Sequence, residues 1–195
     1  MARVLAINNY PTEERFEKLR TCLQSNGAQV STASWEDASP RLFGSYDGIA
    51  LSGSPDMMSK PRVQEKFKAE VEAVVDSAAP VLGICFGHQL IAYAFGADVI
   101  EDKRHVLDFV STTVLAPTGL FSGLPLRLDL LESRHEVVSR LPPGFELLAR
   151  SDATEVAAMK HRTRPIYGVQ SHPERYTAEH LEGRDVVGNF VRLLG

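Results

Sequence analysis

Residues Pro80–Gly96 read PVLGICFGHQLIAYAFG, and the change of pattern inside this stretch decides the fold. As far as Ile84 it is a short continuous apolar run behind a proline, suited to a strand buried on both faces. Beyond Phe86 it becomes amphipathic and helical. At the junction stands Gly83-Ile84-Cys85-Phe86-Gly87, G-x-C-x-G, which matches the nucleophile elbow G-x-S-x-G with sulfur in place of oxygen. The flanking glycines allow a tight strand-to-helix turn. In such a turn the nucleophile is held in strained backbone and projects from the fold, while the new helix aims its first N–H groups at it. Helix N-termini lower a thiol's pKa from about 8.5, and the thiolate is the reactive form. Cys85 is therefore expected to be a nucleophile. Cys22 is expected to be inert, because it shares the apolar face of a helix with Phe16, Leu19 and Leu23 and acts there as a small hydrophobe.

Working outward, RVLAI (Arg3–Ile7) predicts a buried strand, followed by a helix that ends at Asn26-Gly27. AQVSTA (28–33) and GIALSGS (Gly48–Ser54) predict two more strands, the second running into a Ser/Gly/Pro turn. Phe67, Val71, Val74, Val75 and Ala78 mark one face of the helix that leads into the Cys85 strand. This alternation predicts an α/β fold with a mostly parallel sheet and flanking helices. The second half differs in character. VSTTVLA, LRLDLLE, FELLARS, EVAAMKH and PIYGVQS are strand-like pieces separated by turns, and they predict extra antiparallel strands before a closing helix over Val186–Leu194. No repeat, linker or low-complexity stretch interrupts the chain, so residues 1–195 are read as one domain.

Composition narrows the function. A chain of 195 residues, 44% hydrophobic, can bury roughly 70% of the surface its unfolded form exposes. Two cysteines give no disulfide framework and point to a reducing compartment, the cytoplasm. The formal charge of -4 arises from interspersed acids and bases, which leaves no electrostatic footprint for nucleic acid or an anionic membrane. No apolar run approaches a membrane span, and MARVLAINNY lacks the features of a signal peptide. Small molecules or proteins are the expected partners.

A cysteine nucleophile needs a base, and the base needs an orienting group. GVQSHPER (Gly168–Arg175) supplies both. His172 precedes Pro173, which biases it toward extended backbone, where residues two apart share a side and Glu174 reaches the imidazole. The expected triad is Cys85, His172 and Glu174. A zinc site on His172 and Glu174 lacks further ligands at suitable spacing, so no metal or cofactor is expected. The other histidines, His88 among them, are expected at the surface or the edge of the core.

These motifs carry a family resemblance along essentially the whole chain. VLGICFGHQLIAYAFGADV, ESRHEVVSRLPPGFELLARS and HRTRPIYGVQSHPE resemble the nucleophile, substrate-side and histidine segments of class I glutamine amidotransferases, in particular the stand-alone glutaminase subunits of archaeal-type GMP synthases. The resemblance implies a flavodoxin-like domain that hydrolyses the side-chain amide of glutamine and hands ammonia to a synthetase of the ATP-pyrophosphatase type. It further implies oxyanion donors from the backbone of Phe86 and of Gly53 or Ser54, with bound glutamine contacted by Gln89 and by Ser133, Arg134, His135 and Glu136. Three positions depart from the family pattern. Ser54 replaces a glycine, Ser133-Arg134-His135-Glu136 stands where Ser-His-x-Asp is usual, and Ser171 replaces a phenylalanine. A serine at position 54 is costly only if the turn demands positive φ. The same motifs also resemble γ-glutamyl hydrolases or peptidases on this scaffold, and a third reading is a non-catalytic regulatory paralogue, against which the complete triad argues.

Overall fold

The first half of the chain folds as its alternating pattern predicts. In the computed structural model, which describes residues 1–195, the order is β1 (Arg3–Asn8), α1 (Glu13–Ser25), β2 (Gln29–Ser34), α2 (Pro40–Phe43), β3 (Gly48–Leu51), α3 (Pro61–Lys66), α4 (Lys68–Asp76), β4 (Val81–Ile84) and α5 (Phe86–Ala94). The second half adds β5 (Val99–Val114), β6 (Arg127–Val138), β7 (Phe145–Ser151), β8 (Ala158–His161), β9 (Ile166–Val169) and α6 (Glu182–Arg192). All the strands join one sheet in the order β2-β1-β3-β4-β9-β8-β7-β5-β6. Pairing is parallel from β2 to β9 and antiparallel from β9 to β6.

A parallel sheet must be covered on both faces, and alternation along each strand divides the core in two. Val4, Ala6, Ala50, Leu82 and Ile84 pack with Phe16, Leu19 and Leu23 of α1 and with Val187 and Phe190 of α6. Leu5, Ile7, Ile49, Leu51 and Val81 face the opposite layer, where Phe43, Phe67, Val74, Phe86 and Leu90 meet them. Each large side chain so buried contributes about 1.5–3 kcal/mol. The C-terminal ends of β1, β3, β4 and β9 lie side by side, the edge at which open α/β sheets bind ligands.

Four expectations are corrected. The helix before β4 buries Glu70 beside Phe67, Ala73 and Val74, whereas Val75 is turned outward. Strand β5 starts at Val99 rather than Val110, and β6 runs on to Val138. The period of two continues through β6, but its buried positions change from Leu128 and Leu130 to Glu132, Arg134 and Glu136, so charge hides the pattern. Pro173, Glu174 and Arg175 form a 3₁₀ turn, with Pro173 at its first position where its missing N–H costs nothing. Glu174 therefore meets His172 through a turn and not through extended alternation. Finally, His88 lies in the core, where burial pushes its pKa down to about 4 and keeps it neutral.

Candidate active site

The corner between β4 and α5 is strained, as G-x-C-x-G predicts. Cys85 has φ 51° and ψ -98°, a left-handed backbone that costs an ordinary residue about 1–2 kcal/mol. The surroundings hold it there: its N–H donates to the Val169 carbonyl at 2.9 Å, and its own carbonyl accepts from Gln89 N–H at 3.0 Å. The glycines serve close approach rather than unusual φ. A Cβ on Gly83 would strike the Gly87 carbonyl, and one on Gly87 would come within 2.7 Å of the Leu51 carbonyl oxygen. The Cys85 Sγ lies 3.6 Å from the Ser133 carbonyl oxygen and accepts from Gln170 Nε2 at 3.8 Å. As the first residue of α5, Phe86 has a backbone N–H with no partner in the protein.

His172 and Glu174 enter from the end of β9, the strand beside β4. The His172 Nδ1 and Glu174 Oε1 are 2.8 Å apart, and both residues are buried. The His172 main chain is fixed by a 2.6 Å hydrogen bond to the Leu131 carbonyl of β6. Burial alone would push the His172 pKa down, but electrostatic attraction from the neighbouring Cys85 and Glu174, with the hydrogen bond to Glu174, outweighs it and raises it to about 10. These partners favour the protonated imidazole. Cys22 shows the contrary case: burial first, and then the Glu174 charge, push its thiol up to about 12.

The Ser52-Gly53-Ser54-Pro55 turn follows β3. Neither Gly53 nor Ser54 has positive φ, so serine at position 54 carries no left-handed penalty. Gly53 is required by proximity: a Cβ there would collide with the Tyr10 hydroxyl and approach His172 Cε1 to 2.8 Å. The N–H groups of Gly53 and Ser54 find no acceptor in the protein.

Cys85 opens into a cavity of about 150 Å³. Gln89 and Cys85 line it together with the β6 run Ser133–Glu136, the turn Ser54–Met57 and Arg15 of α1. Gln89 is buried, donating from Nε2 to the Glu136 carbonyl at 3.0 Å and to Gln170 Oε1 at 3.4 Å. The Glu136 Oε1 accepts from Ser59 N–H at 3.1 Å, whereas its Oε2 is buried without a partner. Arg134 is committed elsewhere. Its guanidinium binds Glu132 Oε2 at 2.7 Å, Asp102 Oδ2 at 2.6 Å and the Ala153 carbonyl at 2.8 Å. Opposition to the Asp102 charge from burial is outweighed by Arg104 and Arg134, which hold its carboxyl far below the usual range. Asp102 reaches Arg134 from a bulge where the pairing of β5 with β6 shifts register between Glu101 and Val106. In that bulge His105 has φ 43°, and its ring meets the exposed His135 ring edge-on at 4.4 Å.

Sequence reasoning missed Gln170, Tyr10 and Arg15. Gln170 was within reach of it, since Ile84 and Val169 pair in register and the residues that follow them must be neighbours. Tyr10 and Arg15 carried no such signal.

The chain is similar to known proteins of one family. A family model described as glutamine amidotransferase class-I matches residues 7–192. The chain is 43% identical over 148 residues to the glutamine-hydrolysing GMP synthase subunit of Thermococcus kodakarensis, covering 76% of each chain. It is 39% identical to the protein of the same description from Methanocaldococcus jannaschii, covering 76% of this chain and 74% of the relative. Among solved structures, a Thermoplasma acidophilum protein provisionally described as the corresponding GMP synthase subunit superposes with a TM-score of 0.88 at 27% identity, over 100% of this chain and 94% of the other. A glutamine amidotransferase from Thermotoga maritima shares the fold, with a TM-score of 0.73 at 21% identity over 90% of this chain and 77% of the other.

Proposed function

The chain belongs to the class I glutamine amidotransferases, and we propose that it is a glutaminase subunit that supplies ammonia to a synthetase, with GMP synthesis as the acceptor reaction. The observation that carries this reading is Cys85 in left-handed backbone at the strand-to-helix corner, with His172 following the neighbouring strand and itself held by Glu174. The Cys85 thiolate attacks the carboxamide carbon of glutamine, and the new oxyanion is received by the free N–H of Phe86 and that of Gly53 or Ser54. The C–N bond breaks as His172 gives its proton to departing ammonia. Neutral His172 then takes a proton from water, hydroxide adds to the thioester, and the C–S bond breaks to release glutamate. Glu174 orients the ring throughout.

The free carboxylate oxygen of Glu136 suits the α-ammonium of glutamine, and Arg15, which makes no ion pair, suits the α-carboxylate. Arg134, with its charge already paired, shapes the Ser133–Glu136 wall. Ammonia released into water is lost, so turnover is expected to rise when an ATP-pyrophosphatase synthetase charged with nucleotide closes over Cys85. The experiment measures ammonia and glutamate from glutamine and from a γ-glutamyl dipeptide, with and without that synthetase. Faster use of glutamine, stimulated by the partner, is expected. A better dipeptide rate with no effect of the partner would replace this function with that of a γ-glutamyl peptidase.

A further inference from the structure

Behind the turn that carries Gly53, α4 buries a carboxyl group for which the reaction has no use. Glu70 is fully buried on a helix face otherwise made by Phe67, Ala73 and Val74. Its one partner is Asn9, just beyond β1, whose Nδ2 donates to Glu70 Oε1 at 3.1 Å. The same Nδ2 donates to the Ser52 carbonyl at 3.3 Å, and the Asn9 backbone N–H donates to the Ser52 hydroxyl at 2.9 Å. Because both neighbours of Nδ2 are acceptors, the contacts fix which end of the amide is nitrogen. Two oxygens are left over: Asn9 Oδ1 and Glu70 Oε2 are both buried without a partner. Two bare acceptors cannot satisfy one another, but a hydroxyl and an acceptor can. A neutral carboxylic acid and a primary amide close a ring of two hydrogen bonds, so one proton on Glu70 Oε2 occupies both orphans.

We propose that Glu70 is kept as a neutral acid, closed into a two-bond ring with the Asn9 amide, and that this pair positions the Ser52-Gly53 peptide of the oxyanion turn. The catalytic consequence rests on the glutaminase reading above. It follows from the planarity of the peptide: with the Ser52 carbonyl held by Asn9, the N–H of Gly53 must point the opposite way, out of the cluster. Burial, opposed in part by the Asn9 hydrogen bond, pushes the Glu70 carboxyl up to about 8. No cation is available to it. The charged residues on the elements packed against α4 are Glu36, Asp37, Arg41, Arg62, Glu65 and Lys66, all exposed, as are Lys68, Glu72 and Asp76 of α4 itself, and α5 contributes only the buried His88 and the half-buried Tyr93. Ionisation would break the O–H bond of the ring and leave an unpaired buried charge, and the turn would lose its anchor.

The test compares wild type, Glu70→Gln and Glu70→Leu from about pH 6 to 9, in steady-state glutamine hydrolysis and in urea unfolding. Glutamine at position 70 can keep the ring but cannot ionise. Relative to Glu70→Gln, wild-type kcat is expected to fall as pH rises through about 8, with KM unchanged. Glu70→Leu is expected to lose about tenfold in kcat at every pH, as a misplaced donor would. Stability provides a readout that needs no activity. A carboxyl raised in the folded state contributes stability that is complete below its ordinary pKa and lost as pH rises through about 8, so the wild-type midpoint should fall relative to Glu70→Gln across that range. Parallel midpoint profiles, or a Glu70→Leu variant with wild-type kcat, would overturn the proposal. A wild type without glutaminase activity would refute the reaction and this catalytic consequence together, while the midpoints would still decide whether Glu70 is neutral.

Discussion

The β4–α5 corner and the β5–β6 ribbon wall the same cavity, yet they are built by opposite means. At the corner the backbone does the positioning: Cys85 is strained, Gly83 and Gly87 let strand and helix touch, and a parallel neighbour brings in Gln170 and His172. In the ribbon, charge does it. Glu132, Arg134 and Glu136 take inward places that leucines hold earlier in the same strand, and the Asp102 bulge closes around Arg134. Chemistry thus rests on main-chain geometry that few sequences can adopt, whereas the substrate wall rests on side-chain pairs that can be exchanged.

The largest expected effect lies at the corner. Cys85→Ala should abolish glutamine hydrolysis and Cys22→Ala should leave it intact, although the charge of Glu174 is felt around both sites. An electrophilic glutamine analogue, followed by peptide mass mapping, should label Cys85 alone. Label on Cys22 would mean that burial does not silence a thiol in this fold.

The ribbon should respond in stability first. Replacing Arg134 by methionine leaves the buried Glu132 without its cation and Asp102 with only the exposed Arg104, and breaking a buried pair in this way costs about 3–5 kcal/mol. Urea denaturation of Arg134→Met against Cys85→Ala makes the comparison, since the alanine variant should unfold near the wild-type midpoint. Equal midpoints for the two variants would show that the charges of the ribbon are ornamental to its fold.

What could be read from the sequence follows the same division. The Cys85 corner was legible because G-x-C-x-G between a strand and a helix has few other uses, and HPE carried the His172–Glu174 pair even though a 3₁₀ turn, not an extended chain, delivers the contact. The ribbon was not legible. Its inward charges look like a solvated stretch until a bulge four positions long at Asp102–His105 supplies the partner, and nothing local to Arg134 announces that bulge. Glu70 was hidden for the same reason: helical periodicity favoured Val75 for the buried face, and only tertiary contact with Asn9 makes a carboxyl tolerable there.

A smaller effect is expected at the turn after β3, where the corner meets its oxyanion donors. In Gly53→Ala the new methyl collides with the Tyr10 hydroxyl and presses on His172, displacing the imidazole without unfolding a strand. A loss of roughly 100-fold in kcat is expected, with a melting temperature close to wild type. Intact turnover would mean that Tyr10 yields and that His172 is not fixed from this side.

The smallest effect is expected one residue further on. A glycine at position 54 would relieve strain only if the serine sat in left-handed backbone, and it does not. The Ser54 hydroxyl also accepts from Asp56 N–H at 3.1 Å, a local bond that helps to shape the turn. Ser54→Gly keeps the N–H that could face an oxyanion, but it gives up this bond and gains freedom in the unfolded chain. The expected outcome is a kcat close to wild type and a stability loss of about 0.4–1 kcal/mol, read from urea midpoints. A rise in both rate and stability would show that the turn adopts positive φ in solution and that the geometry of the oxyanion donors differs from the one described. A fall in kcat alone, with stability unchanged, would instead make the Ser54 side chain part of the wall that glutamine touches, beside Cys85 and opposite Glu136.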